Sequence, residues 1–133
     1  MMLNYANNQI ISYDNLRNAI KKCDISLIKN ILYMKKKMVN NEKQFLEFIN
    51  RKDSNGSTLM HHASNIGCIE IVELLIEYGA DINVQDSYLG YTPLHCCAYK
   101  KHTQLMEFLI ENKAIETIPN LYGKTAKDFL SRT

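Results

Sequence analysis

The chain has no tryptophan, only two prolines and five glycines among its 133 residues, and no long hydrophobic run. The longest apolar stretch, Ile69 to Ile76, is already broken by Glu70 and Glu73. A membrane-spanning helix needs about 20 predominantly apolar residues, so none is expected. The first residues hold no basic group ahead of an apolar core and do not read as a secretory leader. Charge of neither sign is in excess: 16 basic residues against 14 acidic give a net +2, which makes no electrostatic case for nucleic acid. Paired cysteine spacings are missing as well. Cys23, Cys68, Cys96 and Cys97 read as reduced thiols in a cytoplasmic or nuclear setting. What is present is a globular composition, 46% hydrophobic and 23% charged, in a length that suits one domain.

Self-comparison at fixed offsets is the informative test. Gly56, Thr58, His61 and Ala63 recur 34 or 35 positions later as Gly90, Thr92, His95 and Ala98, with Gly, Thr and His all at offset 34. A third start, Gly123-Lys124-Thr125-Ala126, follows 33 residues after Gly90. Behind each histidine an apolar pattern repeats at the same offset of 34: Ile71, Val72, Leu74, Leu75 and Ile76 against Leu105, Met106, Phe108, Leu109 and Ile110. Within a unit, Thr58 or Thr92 supplies a hydroxyl to cap a short helix, and Pro93 takes the first helical position, where a missing N–H costs nothing. Gly67 marks a turn, a second helix spans Ile69 to Tyr78, and Gly79 ends it in the left-handed conformation. Ala80 to Asn83 then lead outward, and Asp86 begins the next turn.

The sequence here resembles the ankyrin repeat family. The matching residues are Asp53, Gly56, Thr58, Met60-His61 and Ala63, then Gly67, Ile71-Val72, Leu74-Leu75 and Gly79 to Asn83, with Thr92-Pro93-Leu94-His95 as the signature tetrapeptide. The resemblance covers residues 50–130. It implies an all-α solenoid of about four helix-turn-helix units with extended loops: a degenerate first unit, two well-formed units and a truncated last one. A tail at 1–12 then precedes one domain at 13–133, with units near 14–34, 53–85, 86–119 and 120–133. In the first unit Asp14 is the expected N-cap. The insert at 35–50 is expected to hold a short extra helix, because Asn41 to Gln44 has capping-box spacing and Phe45, Phe48 and Ile49 share a helical face. Lys124 to Thr133 is expected to be one helix without its pair. Departures from the pattern are Leu59 for the usual Pro, Lys101 and Lys113 for usual glycines, and Ile115-Glu116-Thr117 at the outward turn. Since a non-Gly residue at positive φ costs on the order of 1 kcal/mol, Asn112 is expected to take the left-handed position in place of Lys113, and the C-terminal units to be the weaker ones.

Candidate chemistry weighs little against the scaffold. The resemblance makes His61 and His95 structural, each bonding its neighbouring Thr or loop backbone. No Cys-x-x-Cys pairs with a His-x(3–5)-His, so no metal or other cofactor is expected. Cys96 and Cys97 adjoin His95 in sequence, but consecutive helical residues do not face one another, and no phosphate loop or nucleophile elbow exists. No enzymatic activity is expected. Six basic residues against two acidic ones between Lys35 and Lys52 read first as a solvated insert.

Partners in this family are gripped by loop tips and the exposed side of the first helix. Carried onto this chain, those positions are Ser54, Asn55, Ser57, Asn65 and Ile66; then Ser87, Tyr88, Leu89, Tyr91, Tyr99 and Lys100; then Leu121 and Tyr122. Four of the eight tyrosines fall there, and tyrosine offers large, rigid, amphipathic contact area. The alternative is that these rings pack on neighbouring loops and lysine stems. The sequence thus reads as a monomeric adaptor or stoichiometric inhibitor whose partner is another protein, with no nucleic acid, membrane or small-molecule substrate. The other reading is an architectural domain that orients a neighbour within a larger protein.

Overall fold

Short polar side chains at the helix starts accept hydrogen bonds from the first turn and so set where each helix begins. In the computed structural model, which describes residues 11–130, Ser12 Oγ accepts from Asn15 N–H and opens α1 (Tyr13–Lys21). The N-cap is therefore Ser12 and not Asp14, which sits in the first turn and pairs with Arg17 at 3.3 Å. Asp24 opens α2 (Ile25–Met38) through Leu27 N–H, and Asn41 opens α3 (Glu42–Ile49) through Gln44 N–H. Next come α4 (Leu59–Ile66), α5 (Ile69–Glu77), α6 (Pro93–Lys100) and α7 (Thr103–Glu111). The chain then reaches a single 3-10 turn at Ala126–Phe129, where a longer helix was expected; residues 131–133 of that expectation, like 1–10 of the expected tail, lie outside the described residues. Among the described residues there is no strand.

The helices stack in two rows because each pair has an apolar side it cannot bury alone. The first helices α1, α4 and α6 and the 3-10 turn pack in succession, and α2 lies against α5 in the second row. Leu16, Ile20, Leu59, Met60 and Leu94 fill the first row, and Ile28, Leu32, Ile71 and Leu75 the second; all are at most 2% exposed. The insert is not a loose excursion. Lys35 to Met38 extend α2 by a turn, and α3 buries Phe45 and Ile49 completely, with the Phe45 ring 5.9 Å from that of Tyr78. Lys35 lies over Phe48 at 4.6 Å, Lys36 over Phe45 at 5.2 Å and Lys37 over Tyr33 at 4.7 Å, so all three consecutive lysines cover aromatic faces.

Four helix ends, those of α1, α5, α6 and α7, share one backbone geometry. Ala80 N–H reaches Leu75 O and Gly79 N–H reaches Ile76 O, as in a left-handed C-terminal cap. The same pair of bonds recurs with Cys23, Lys101 and Lys113 in the glycine's place, at φ of 56°, 62° and 75°. Lys113 thus takes the left-handed position itself, and Asn112 stays at φ −95° with its side chain donating to Phe108 O. The end is regular because Asn83 secures it: Nδ2 donates to Lys113 O at 3.4 Å and Oδ1 accepts from Ile115 N–H at 2.8 Å. Asn50 holds Gly79 O and Asp81 N–H in the same way one unit earlier.

Two helix ends respond oppositely to substitution. Lys113→Gly should raise stability by roughly 0.5 kcal/mol, the relief of positive φ outweighing the added freedom of the unfolded chain. Gly67→Ala should lower it by about 2 kcal/mol or more, because φ is 87° and a Cβ would stand 2.7 Å from the His102 ring. Urea unfolding of the two variants checks both signs.

Candidate partner-binding face

Each loop is built around one acceptor. Asp53 Oδ1 accepts from Asn55 and Ser57 N–H, both at 3.0 Å, while its own N–H bonds Ser57 O. Asp86 Oδ1 accepts from Leu89 and Gly90 at 2.8 and 2.9 Å and at longer range from Tyr88 and Tyr91. Asn120 Oδ1 accepts from Tyr122 and Lys124 at 2.9 and 3.0 Å. A short acceptor is what such a turn needs, and an amide oxygen serves as well as a carboxylate. Asn120 went unnoticed in the sequence, although it stands 34 residues after Asp86. The extra residue between Asp86 and Gly90 turns Tyr88 outward, whereas Leu89 stays half-buried with its carbonyl accepting from Leu121 N–H.

Histidines tie these loops into a row. His61 Nδ1 accepts from Thr58 N–H at 3.1 Å, which leaves the proton on Nε2 to donate to Tyr91 O at 2.7 Å in the next loop. His95 repeats this with Thr92 N–H at 3.1 Å and Lys124 O at 2.8 Å. Gln85 adds bonds to Gly90 O and Pro119 O, and Lys52 donates to Gln85 O. Of the other residues read as structural, Thr58 and Thr92 cap α4 and α6, Pro93 is the first residue of α6, and Gly67 and Gly79 take positive φ. Asp53 also meets His62 Nε2 at 2.8 Å. Burial works against the Asp53 carboxylate, but bonds from His62, Ser57 and Asn55 outweigh it and hold its pKa below the ordinary value.

The row brings the loop tips together. Ser54, Asn55 and Ser87 are exposed; Tyr88, Leu121 and Tyr122 stand further out at 75%, 70% and 74% exposure. Asn65 and, one unit on, Tyr99 and Lys100 are exposed at the ends of α4 and α6, while Ser57 and Ile66 are half-buried. Tyr91 is half-buried and belongs to the scaffold: its ring stacks on His95 at 5.4 Å and meets Phe129 at 5.4 Å. Tyr99 touches Phe129 edge-on but remains 64% exposed. The packing reading thus holds for Tyr91, while Tyr88 and Tyr122 project into solvent.

The two adjacent thiols of α6 are not poised as nucleophiles. Cys96 and Cys97 are buried, and burial pushes the Cys97 thiol up to about 12 and Cys96 further. Among the described residues no three His, Cys, Asp or Glu side chains gather in a metal-binding group, and no helix is long and apolar enough to cross a membrane.

Stacked helix pairs, with α4 and α6 capped by Thr and bridged to the next loop by His61 and His95, define a helical repeat solenoid. The family profile described as "Ankyrin repeats (3 copies)" matches residues 16–120, and the chain belongs to the ankyrin repeat family, whose repeats generally mediate protein–protein interaction. It is 35% identical over 79 residues to I-Kappa-B like protein H1 of Microplitis demolitor bracovirus, covering 57% of this chain and 41% of that protein. It is 36% identical over 78 residues to protein phosphatase 1 regulatory subunit 12A of Mus musculus, covering 59% of this chain and 8% of the relative. A putative ankyrin repeat protein, L371 of Acanthamoeba polyphaga mimivirus, is 27% identical over 92% of this chain and 14% of its own length. The chain thus spans well under half the length of these relatives.

Two outcomes follow from the buried groups. Burial holds the pKa of His61 and His95 below 6.5. The unfolded chain therefore binds more protons around and below that value, and stability should be level above about pH 7 and fall as the pH drops below it. Urea midpoints across this range should show the loss, and a flat profile would contradict the bridging tautomer. Thiol labelling of the folded chain should reach Cys23 first and Cys68 next, with Cys96 and Cys97 reacting only at the rate of unfolding.

Proposed function

We propose that the chain is a non-enzymatic adaptor or stoichiometric inhibitor that grips a partner protein with its loop tips and the exposed ends of its first helices. The observation that carries this reading is the rigid row of bridged loops projecting Tyr88, Leu121 and Tyr122 into solvent. Rigid aromatic groups contribute most of the affinity at protein interfaces because they bury much area at small entropic cost. A relative named as a regulatory subunit of protein phosphatase 1 supports the regulatory side of the reading. The double substitution Tyr88→Ala with Tyr122→Ala should weaken partner binding by about 2 kcal/mol or more and leave the melting temperature unchanged. Tyr91→Ala should instead lower the melting temperature, since its ring supports His95 and Phe129. Quantitative affinity capture from native lysate, with the double variant as control, measures the first effect. Proteins retained equally by both chains would count against this face.

A groove of about 230 Å³ beside α7, lined by Leu94, Met106, Ile110 and Leu130, favours a second reading, an architectural domain whose neighbour covers that surface. Sedimentation velocity of the isolated chain separates the two. A single monomeric species supports the adaptor, and self-association supports the architectural role.

A further inference from the structure

The proposed face is not uniform along the row. Its first unit presents Ser54, Asn55 and Asn65, all small or polar, and the Asp53 carboxylate beside them is engaged by His62 and two backbone N–H groups. The next units present Tyr88, Tyr99, Leu121 and Tyr122, and around them the exposed cations Lys100, Lys101 and Lys124. None of these three lysines forms an ion pair within 4.0 Å among the described residues. The carboxylates nearby keep their charge but are held in place by hydrogen bonds, and Asp128 acts on Lys124 only from beyond 4.0 Å. Asp86 Oδ1 takes four backbone N–H groups, and Asp128 binds Thr125 N–H and Oγ1.

Resting on the proposed function above, we infer that the C-terminal half of this face binds an acidic protein segment carrying apolar anchors, with Tyr88, Tyr99, Leu121 and Tyr122 as its apolar contacts and Lys100, Lys101 and Lys124 as its counter-charges. Charge complementarity decides the occupant. Cations with no carboxylate within 4.0 Å, close in sequence to exposed aromatic rings, draw carboxylates to their edge, while the rings and Leu121 take aliphatic or aromatic side chains at the centre. A nucleic acid is the less suitable occupant. The whole chain carries only +2, too little for phosphate-driven affinity, and Leu121 offers an aliphatic surface where stacking would need a ring.

The test is a selection from a random-peptide display library on the immobilised full chain. Binding of the enriched peptides is then measured against three variants whose melting temperatures are checked first. These are Lys100→Glu/Lys101→Glu/Lys124→Glu, the same three positions changed to Gln, and Tyr88→Ala/Tyr122→Ala. Enriched peptides should combine Asp or Glu with Leu, Phe or Trp. Their affinity should fall about tenfold or more with Glu, less with Gln, and with rising salt. Peptides that depend on the tyrosines but not on the lysines would overturn the acidic partner and leave the face intact. Peptides that ignore all three variants, or no enrichment at all, would overturn the face as well. Tighter binding of a single-stranded oligothymidylate than of any selected peptide would replace the protein segment with nucleic acid.

Discussion

One imidazole in the first turn of each of α4 and α6, with its proton on Nε2, keeps this solenoid in register. His61 and His95 each take a backbone N–H of their own cap on Nδ1 and hand a proton to a carbonyl of the following loop. Each such bond is worth only about 1 kcal/mol net. The apolar side chains stacked beneath contribute far more, roughly 2 kcal/mol for each fully buried Leu, Ile or Phe. Burial therefore provides the stability, but it is non-directional and tolerates sliding of one unit on the next. The imidazole bridge is directional, and a lost partner would strand a buried carbonyl at a cost of about 1–3 kcal/mol. This is why the loops form a row of fixed spacing.

Much of this was legible from residue spacing. The 34-residue recurrence of Gly, Thr and His located α4 and α6 and the caps that start them, because a cap is a local interaction between residues three apart. The amide side chains joining one unit to the next were less visible. Asn50, Asn83 and Gln85 act over 29 to 34 residues, and a lone amide carries no signal of such a partner. Lys113 shows a different limit. Its positive φ is unfavourable in isolation, so sequence favoured moving the strain to Asn112. Two backbone bonds at the helix end and the side chain of Asn83 over-determine the geometry, and the lysine conforms.

The insert makes the same point about charge. Three consecutive lysines look like a solvated run when read as composition. In space Lys35 and Lys36 lie over Phe48 and Phe45, and Lys36 also reaches Glu42 at 3.6 Å. Their stems cover the helix that plugs the gap between the first two units, and their charges sit in the last turn of α2, where the helix dipole favours them.

The two kinds of cation on this molecule then separate by what surrounds them. Those of the insert lie over rings, and Lys36 also stands 3.6 Å from Glu42. Lys100, Lys101 and Lys124 lack a carboxylate within 4.0 Å and stand among exposed aromatic side chains. Tyr91 and Phe129 divide in the same manner from Tyr88 and Tyr122: the first two lock ring against ring under the loop, and the others project from backbone already fixed by Asp86 and Asn120. Because the supporting contacts are complete without the tips, the tips can vary in sequence at little cost to folding. A scaffold that spends its specific polar bonds on spacing the loops leaves recognition to the side chains those bonds do not use.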